Sequence, residues 1–274
     1  MIIIAGQAPS LDVSAWSAAE KSILALKQRS ARTYAYDSVA QLRFELKLRA
    51  EIVEAAKELN RSGVRFATFK NSRCNEAFWT LTEDGGFRLR PDTTPSAAIR
   101  DIIANGRKYA FECASAVVIV LYKAVLEMSG EPTFNRLFGG LYIYDWQYDQ
   151  DLFLVTEMGG GESFPGDVRY FKNPDHDSKK PEWQGENAVQ LKDGLYYGHG
   201  IGIRTKEGII DELNRIRRSG ASASAYLTGD VVHPDFASLQ RTLSMEGVRP
   251  GGADDCLNTD LNYARIGRRR YVWS

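Results

Sequence analysis

Glu112-Cys113-Ala114-Ser115-Ala116-Val117-Val118-Ile119-Val120-Leu121-Tyr122-Lys123 is the stretch from which the rest of the chain can be read. Continued to Met128 and stopped at Gly130, it has the length of a helix rather than a strand. It is apolar on most sides, which suits a buried helix at the centre of a core. The apolar run between Glu112 and Lys123 is about half the ~20 residues that a membrane span needs, so no span is expected here. Cys113 stands in the first turn, where unpaired backbone amides and the helix dipole favour a negative charge. A thiol so placed is expected to have a lowered pKa and to act as a nucleophile. The competing reading is structural, because free cysteines are among the most buried residue types.

Outward from this helix the grammar differs on the two sides. Upstream, Ser38-Val39-Ala40-Gln41 has the form of a capping box. Val39, Leu42, Leu46, Ile52, Val53, Ala56 and Leu59 then recur with a helical rhythm as far as Gly63. Residues 64–69 read as a strand, Asp84-Gly85 marks a hairpin between 77–82 and 87–90, and Pro95-Ser96 opens a short helix. Downstream the pattern is of strands, at 141–146, 168–172, 188–191 and 195–203, with a closing helix at 209–218. Helices first and an antiparallel sheet second is the α+β pattern, a single domain with one core. Periodicity fades from Gly229, so the expected division is a domain over residues 1–228 and an extension of unassigned role over 229–274.

Composition narrows the function. The 274 residues carry 35 Lys+Arg against 35 Asp+Glu, and zero net charge argues against a chain whose main partner is nucleic acid or an anionic membrane. Cys74, Cys113 and Cys256 cannot pair completely, which favours a reducing compartment. Met1-Ile2-Ile3-Ile4-Ala5-Gly6-Gln7 has no basic region and too short an apolar run for a signal peptide, so synthesis in the cytoplasm is expected. No Cys or His pair has zinc-ligand spacing, and Gly159-Gly160-Gly161 lacks the continuation of a phosphate loop. Neither a metal nor a cofactor is expected.

Partners for the thiol are sought in Trp183-Gln184-Gly185-Glu186-Asn187 and Tyr196-Tyr197-Gly198-His199-Gly200, which flank Asp193-Gly194. If Asp193-Gly194 is a two-residue hairpin turn, Ala188 faces His199 and Glu186 faces Ile201. Glu186 and His199 then share a face as diagonal neighbours, roughly 7–8 Å apart. A three-residue turn changes the parity. A solvated glutamate and a structural histidine are the plain alternatives, but the glycines around His199 suit a place where something approaches the backbone closely. Thiol, imidazole and carboxylate together are what cysteine-based acyl transfer requires.

Several stretches carry a resemblance: Phe66-Ala67-Thr68-Phe69, Ala98-Ile99-Arg100-Asp101-Ile102, Tyr109-Ala110-Phe111-Glu112-Cys113-Ala114, Tyr144-Asp145-Trp146-Gln147-Tyr148, Gly166 to Pro174, Trp183 to Asn187, and Gly198-His199-Gly200. In order and spacing, as far as about Tyr226, the chain resembles the protein-glutamine gamma-glutamyltransferases of spore-forming Bacillus. The resemblance implies a small calcium-independent transglutaminase with a core like that of papain-like cell-wall peptidases. Cys113 matches the family's nucleophile, Glu186 its catalytic glutamate and His199 its histidine. The expected chemistry is a Cys113 thioester with a substrate glutamine, release of ammonia, and attack by a lysine amine. Glu186 is the first choice for proton transfer, with His199 polarising or sharing it. Phe66, Trp146, Tyr170 and Trp183 are candidates for a dry, aromatic channel for the amine, with plain core packing as the alternative. The implied partners are proteins with exposed Gln and Lys, spore coat proteins above all, with the enzyme made in the mother cell and deposited on the coat. A cysteine peptidase or amidase acting on cell-wall peptides is the alternative that the same three residues allow.

Overall fold

The structure, a computed structural model, describes residues 1–245. In chain order its strands are β1 (Ile2–Ile4), β2 (Tyr34–Tyr36), β3 (Arg65–Phe66), β4 (Trp79–Leu81), β5 (Phe87–Leu89), β6 (Ala110–Phe111), β7 (Tyr142–Ile143), β8 (Leu154–Glu157), β9 (Val168–Lys172), β10 (Gly185–Gln190), β11 (Leu195–Gly198), β12 (Gly202–Thr205) and β13 (Tyr226–Pro234). Its α-helices are α1 (Ala18–Arg29), α2 (Val39–Arg61), α3 (Pro95–Ala104), α4 (Cys113–Ser129), α5 (Glu131–Leu137), α6 (Lys206–Arg215) and α7 (Phe236–Met245).

The apolar helix α4 is the centre of this α+β fold. Every residue from Cys113 to Leu126 is buried, and the one charged member, Lys123, sends its ammonium out to Glu58 and Glu127, 3.0 Å from each. α4 packs against α2 and against β10 of the main sheet. That sheet is antiparallel throughout, in the order β12-β11-β10-β9-β13-β8. No α-helix among the described residues is long and apolar enough to cross a membrane.

Four departures from the sequence reading have local causes. α1 went unread although Ser17 and Glu20 form a complete capping box, each side chain bonding the other's backbone amide. At Ser38 only half of the box forms: its hydroxyl accepts from the Gln41 amide, but the Gln41 side chain reaches past it to the Asp37 amide. The stretch 195–203 is two strands, because Gly200 lies at φ 97° and the Ile201 amide turns back to the Gly198 carbonyl at 3.2 Å. The fourth concerns the boundary placed after residue 228, which falls inside β13, a strand held between β9 and β8. The register of β13 on β9 shifts between Leu227 and Val231, and this irregularity is what hid the strand. α7 follows and packs on α2. Cys256 lies outside the described residues.

A buried ion network joins the helical side to the sheet. Glu45 on α2 accepts from Lys27 of α1 and from Arg49, both at 2.7 Å, and Arg49 reaches Asp167, just before β9, at 2.5 Å. The Tyr36 hydroxyl donates to the same glutamate at 2.8 Å. Burial by itself would raise the Glu45 carboxyl, but Arg49 and Lys27 outweigh it and hold it at about 2. Removing one member strands the others as buried charges, so Glu45→Ala should cost about 3–5 kcal/mol in urea unfolding. A folded pKa below the unfolded value means that this contribution is present above about pH 4.5 and is lost as pH falls towards 2. A cost under about 1 kcal/mol, or a pH-independent one across that window, would contradict the role given to the network.

Candidate active site

Cys113 occupies the first turn of α4, with Glu112 as the N-cap. One Glu112 oxygen accepts the Ala114 amide at 2.8 Å, as a capping carboxylate should, and the other accepts the Cys113 thiol at 3.2 Å. On the opposite side the Asn187 side-chain amide donates to Sγ at 3.6 Å. The sulfur is thus both donor and acceptor, and the residue is only 2% exposed. Its pKa moves against the expectation from the helix dipole. Burial pushes the thiol well above its ordinary value, and the nearby Glu112 and Glu186 push it further. The capping carboxylate that fixes the helix end also occupies the ground where a thiolate would gain most from the dipole.

Glu186 and His199 reach the site by a route that strand alternation did not anticipate. The turn forms with both Asp193 and Gly194 at positive φ, yet Lys192 is an extra residue, and Leu191 rather than Lys192 pairs with Leu195. Ala188 therefore faces Gly198 instead of His199, and the diagonal pairing of Glu186 with His199 does not occur. Contact is made through the glycine instead. A Cβ on Gly198 would lie 2.9 Å from Glu186 Cγ, so the missing side chain is the space the glutamate occupies. A Cβ on Gly200 would meet the Phe66 side chain at 3.0 Å. The close approach signalled by these glycines is made by the protein's own residues.

Burial raises the Glu186 carboxyl well above the carboxylate range, Glu112 adds to this, and the His199 backbone amide opposes it. Glu186 is 1% exposed, and its Oε1 has no hydrogen-bond partner among the described residues. Glu112 is raised too, by burial first. His199 moves the other way: burial lowers it to about 4, so the ring is neutral near pH 7. Its Nδ1 pairs with the Tyr197 hydroxyl at 3.1 Å and its Nε2 with the Arg65 carbonyl at 3.3 Å, while the ring stacks on Phe111, 4.9 Å between centroids. In the neutral tautomer that fits both bonds, Nε2 donates to the carbonyl and Nδ1 accepts from the tyrosine.

A pocket of about 240 Å³ opens onto Cys113, lined also by Glu112, Asp145, Tyr170, Glu182 and Asn187. Of the four aromatics proposed as a channel, Tyr170 lines this pocket. Phe66 and Trp183 contact each other with centroids 5.1 Å apart, and Phe66 also meets His199 at 6.1 Å. Trp146 packs against the main core. Glu112 and Asn187 were not singled out from the sequence, although each adjoins a residue that was. For Glu112 a signal existed, since an acidic residue just before the first helical position is a standard cap.

Comparison with known proteins agrees with this geometry. A sequence profile of the protein-glutamine gamma-glutamyltransferases matches residues 1–243. The chain is 46% identical over 226 residues to the protein-glutamine gamma-glutamyltransferase of Bacillus mycoides, with 82% of each chain covered. It is 45% identical over 258 residues to that of Bacillus cereus, covering 94% of this chain and 93% of the other. Among solved structures, the transglutaminase from Geobacillus stearothermophilus, without its C-terminal extension, superposes with a TM-score of 0.71 at 53% identity, covering 75% of this chain and 98% of that one. With a sequence match of this length and a solved transglutaminase of the same fold, the chain belongs to the protein-glutamine gamma-glutamyltransferase family.

Proposed function

We propose that the chain joins proteins through γ-glutamyl-ε-lysine bonds, without calcium, using Cys113 as nucleophile and Glu186 as the principal acid and base. The observation that carries the assignment is the division of groups around the thiol. Glu112 and Glu186 both act on it, while both ring nitrogens of His199 are engaged by Tyr197 and Arg65. The family membership favours transfer over the cell-wall peptidase alternative.

In the first half-reaction Sγ attacks the γ-carbonyl carbon of a substrate glutamine while its proton passes to Glu112, the carboxylate it already touches. The backbone amide of Cys113, among the first-turn amides of α4 that lack an intrahelical acceptor, is the donor we assign to the oxyanion. Burial raises the Glu186 carboxyl and so favours its protonated form, which suits it to deliver a proton to the leaving nitrogen. Ammonia departs and the acyl group stays on sulfur. In the second half-reaction Glu186, now a carboxylate, takes one proton from the incoming lysine ammonium, and the free amine attacks the thioester. Glu112 returns its proton to the sulfur, and the second proton lost by the attacking nitrogen is released to solvent, where it balances the ammonia set free in the first half-reaction. Carboxyl groups near the sulfur suit this sequence, because a cationic amine must be drawn in and deprotonated there. His199 acts as a positioning residue, holding Phe111 and the turn after β11 in place. Spore coat proteins, with the enzyme deposited on the coat, are the partners and location that the resemblance suggests.

Incorporation of a fluorescent amine into a glutamine donor tests this, with chelator expected to change nothing. Cys113→Ala should abolish incorporation and Glu186→Gln should lower it by about 10²–10⁴-fold; wild-type rates in either would remove that residue from the chemistry. The imidazole of His199 should titrate near pH 4 in an NMR titration, leaving the activity profile without a step near 6.5 from this group. A ring titrating between pH 6 and 7 would restore His199 as a candidate base.

A further inference from the structure

We propose that Asn187 reads the carboxamide of the substrate, with its Oδ1 accepting an N–H from the glutamine γ-amide, so that glutamine is told from glutamate beside the thiol itself. This rests on the transferase reading above and assigns a specificity residue to the same pocket.

Asn187 follows Glu186 on β10, is 5% exposed, and lines the pocket together with Cys113. Its orientation is fixed by the sulfur. The thiol proton is committed to Glu112, so the atom facing Sγ across 3.6 Å must be a donor, which makes it Nδ2. That choice leaves Oδ1 buried, with no hydrogen-bond partner among the described residues. Buried acceptors are rarely left unpaired, because the desolvation is then uncompensated. Oδ1 shares a carbon with the nitrogen that touches Sγ, so it lies beside the place where the scissile amide must come. The group that satisfies it therefore has to bring an N–H.

The rest of the lining points to the same chemistry. Glu112, Asp145 and Glu182 surround the pocket with further acceptors and negative charge. A glutamine side chain brings two N–H donors and no charge. A glutamate side chain brings acceptors and a negative charge, and is opposed twice. Once ammonia has left, the lysine nitrogen comes to the same position and offers its own N–H to Oδ1. One acceptor thus serves the nitrogen that leaves and the nitrogen that replaces it.

The test compares two acyl donors of one peptide sequence, one with glutamine and one with glutamate γ-methyl ester, which has the same carbonyl but no N–H. Incorporation of a fluorescent amine is read for both. Asn187→Leu should lower the amide-to-ester ratio of kcat/KM by about 10–100-fold, since loss of the Nδ2–Sγ contact affects both donors alike and cancels. An unchanged ratio would overturn the inference while leaving the transferase reading intact; absence of incorporation from either donor by the wild type would overturn that reading instead. A second measurement needs no variant. Wild-type Cys113 should prefer chloroacetamide over methyl chloroacetate about tenfold more than free cysteine does at the same pH, because one buried hydrogen bond is worth about that factor. A preference equal to that of free cysteine would equally overturn the assignment.

Discussion

The fold depends on one constraint: a helix apolar on nearly all sides must be buried, and in the mechanism we propose its first residue must still meet a substrate. α4 satisfies the first requirement through α2 and β10. The second is met at its N-terminus, where Glu112 closes the helix and the pocket opens beside Cys113. β9 and β10 bring Tyr170 and Asn187 to that pocket, and the turn after β11 brings His199 alongside Phe111. The ion network from Lys27 to Asp167 fixes the start of β9 relative to α2. Chemistry here is a property of one helix end held by everything around it.

Electrostatics follows from that placement. A cysteine paired with a charged histidine rests as an ion pair, with the thiolate ready before substrate arrives. Here the thiol is held up by burial and two carboxyls, and the histidine is held neutral. The sulfur therefore rests as a thiol that donates to Glu112 rather than as a thiolate, and proton transfer must accompany attack. Such a site offers a negative lining to an amine and little to an anion. It suits a reaction whose second substrate enters as a cation.

How much of this was legible in the sequence differs by feature. α4 could be read almost to the residue, because an unbroken apolar run admits few other structures. Cys113, Glu186 and His199 could be named through the motifs around them; in the structure Glu186 lies near enough to raise the thiol, and the His199 ring stacks on Phe111, two residues before Cys113. The register that joins them could not be read, because one bulged residue, Lys192, reverses the alternation without leaving a mark in composition. The direction of the thiol pKa was also hidden. Helix position argues for lowering, and only the depth of burial and the nearness of two carboxyls decide the outcome. β13 was lost for a similar reason, since its irregular register spoils the period-two pattern near Gly229.

The most direct measurement is intact mass spectrometry of the enzyme mixed with a glutamine peptide and no amine, quenched in acid to preserve thioesters. Peptide-coupled protein should appear at the summed mass less ammonia, with the adduct mapping to Cys113 and disappearing on addition of a primary amine. An adduct on another residue such as Cys74, or amine incorporation without any thiol adduct, would contradict a mechanism in which Cys113 carries the acyl group.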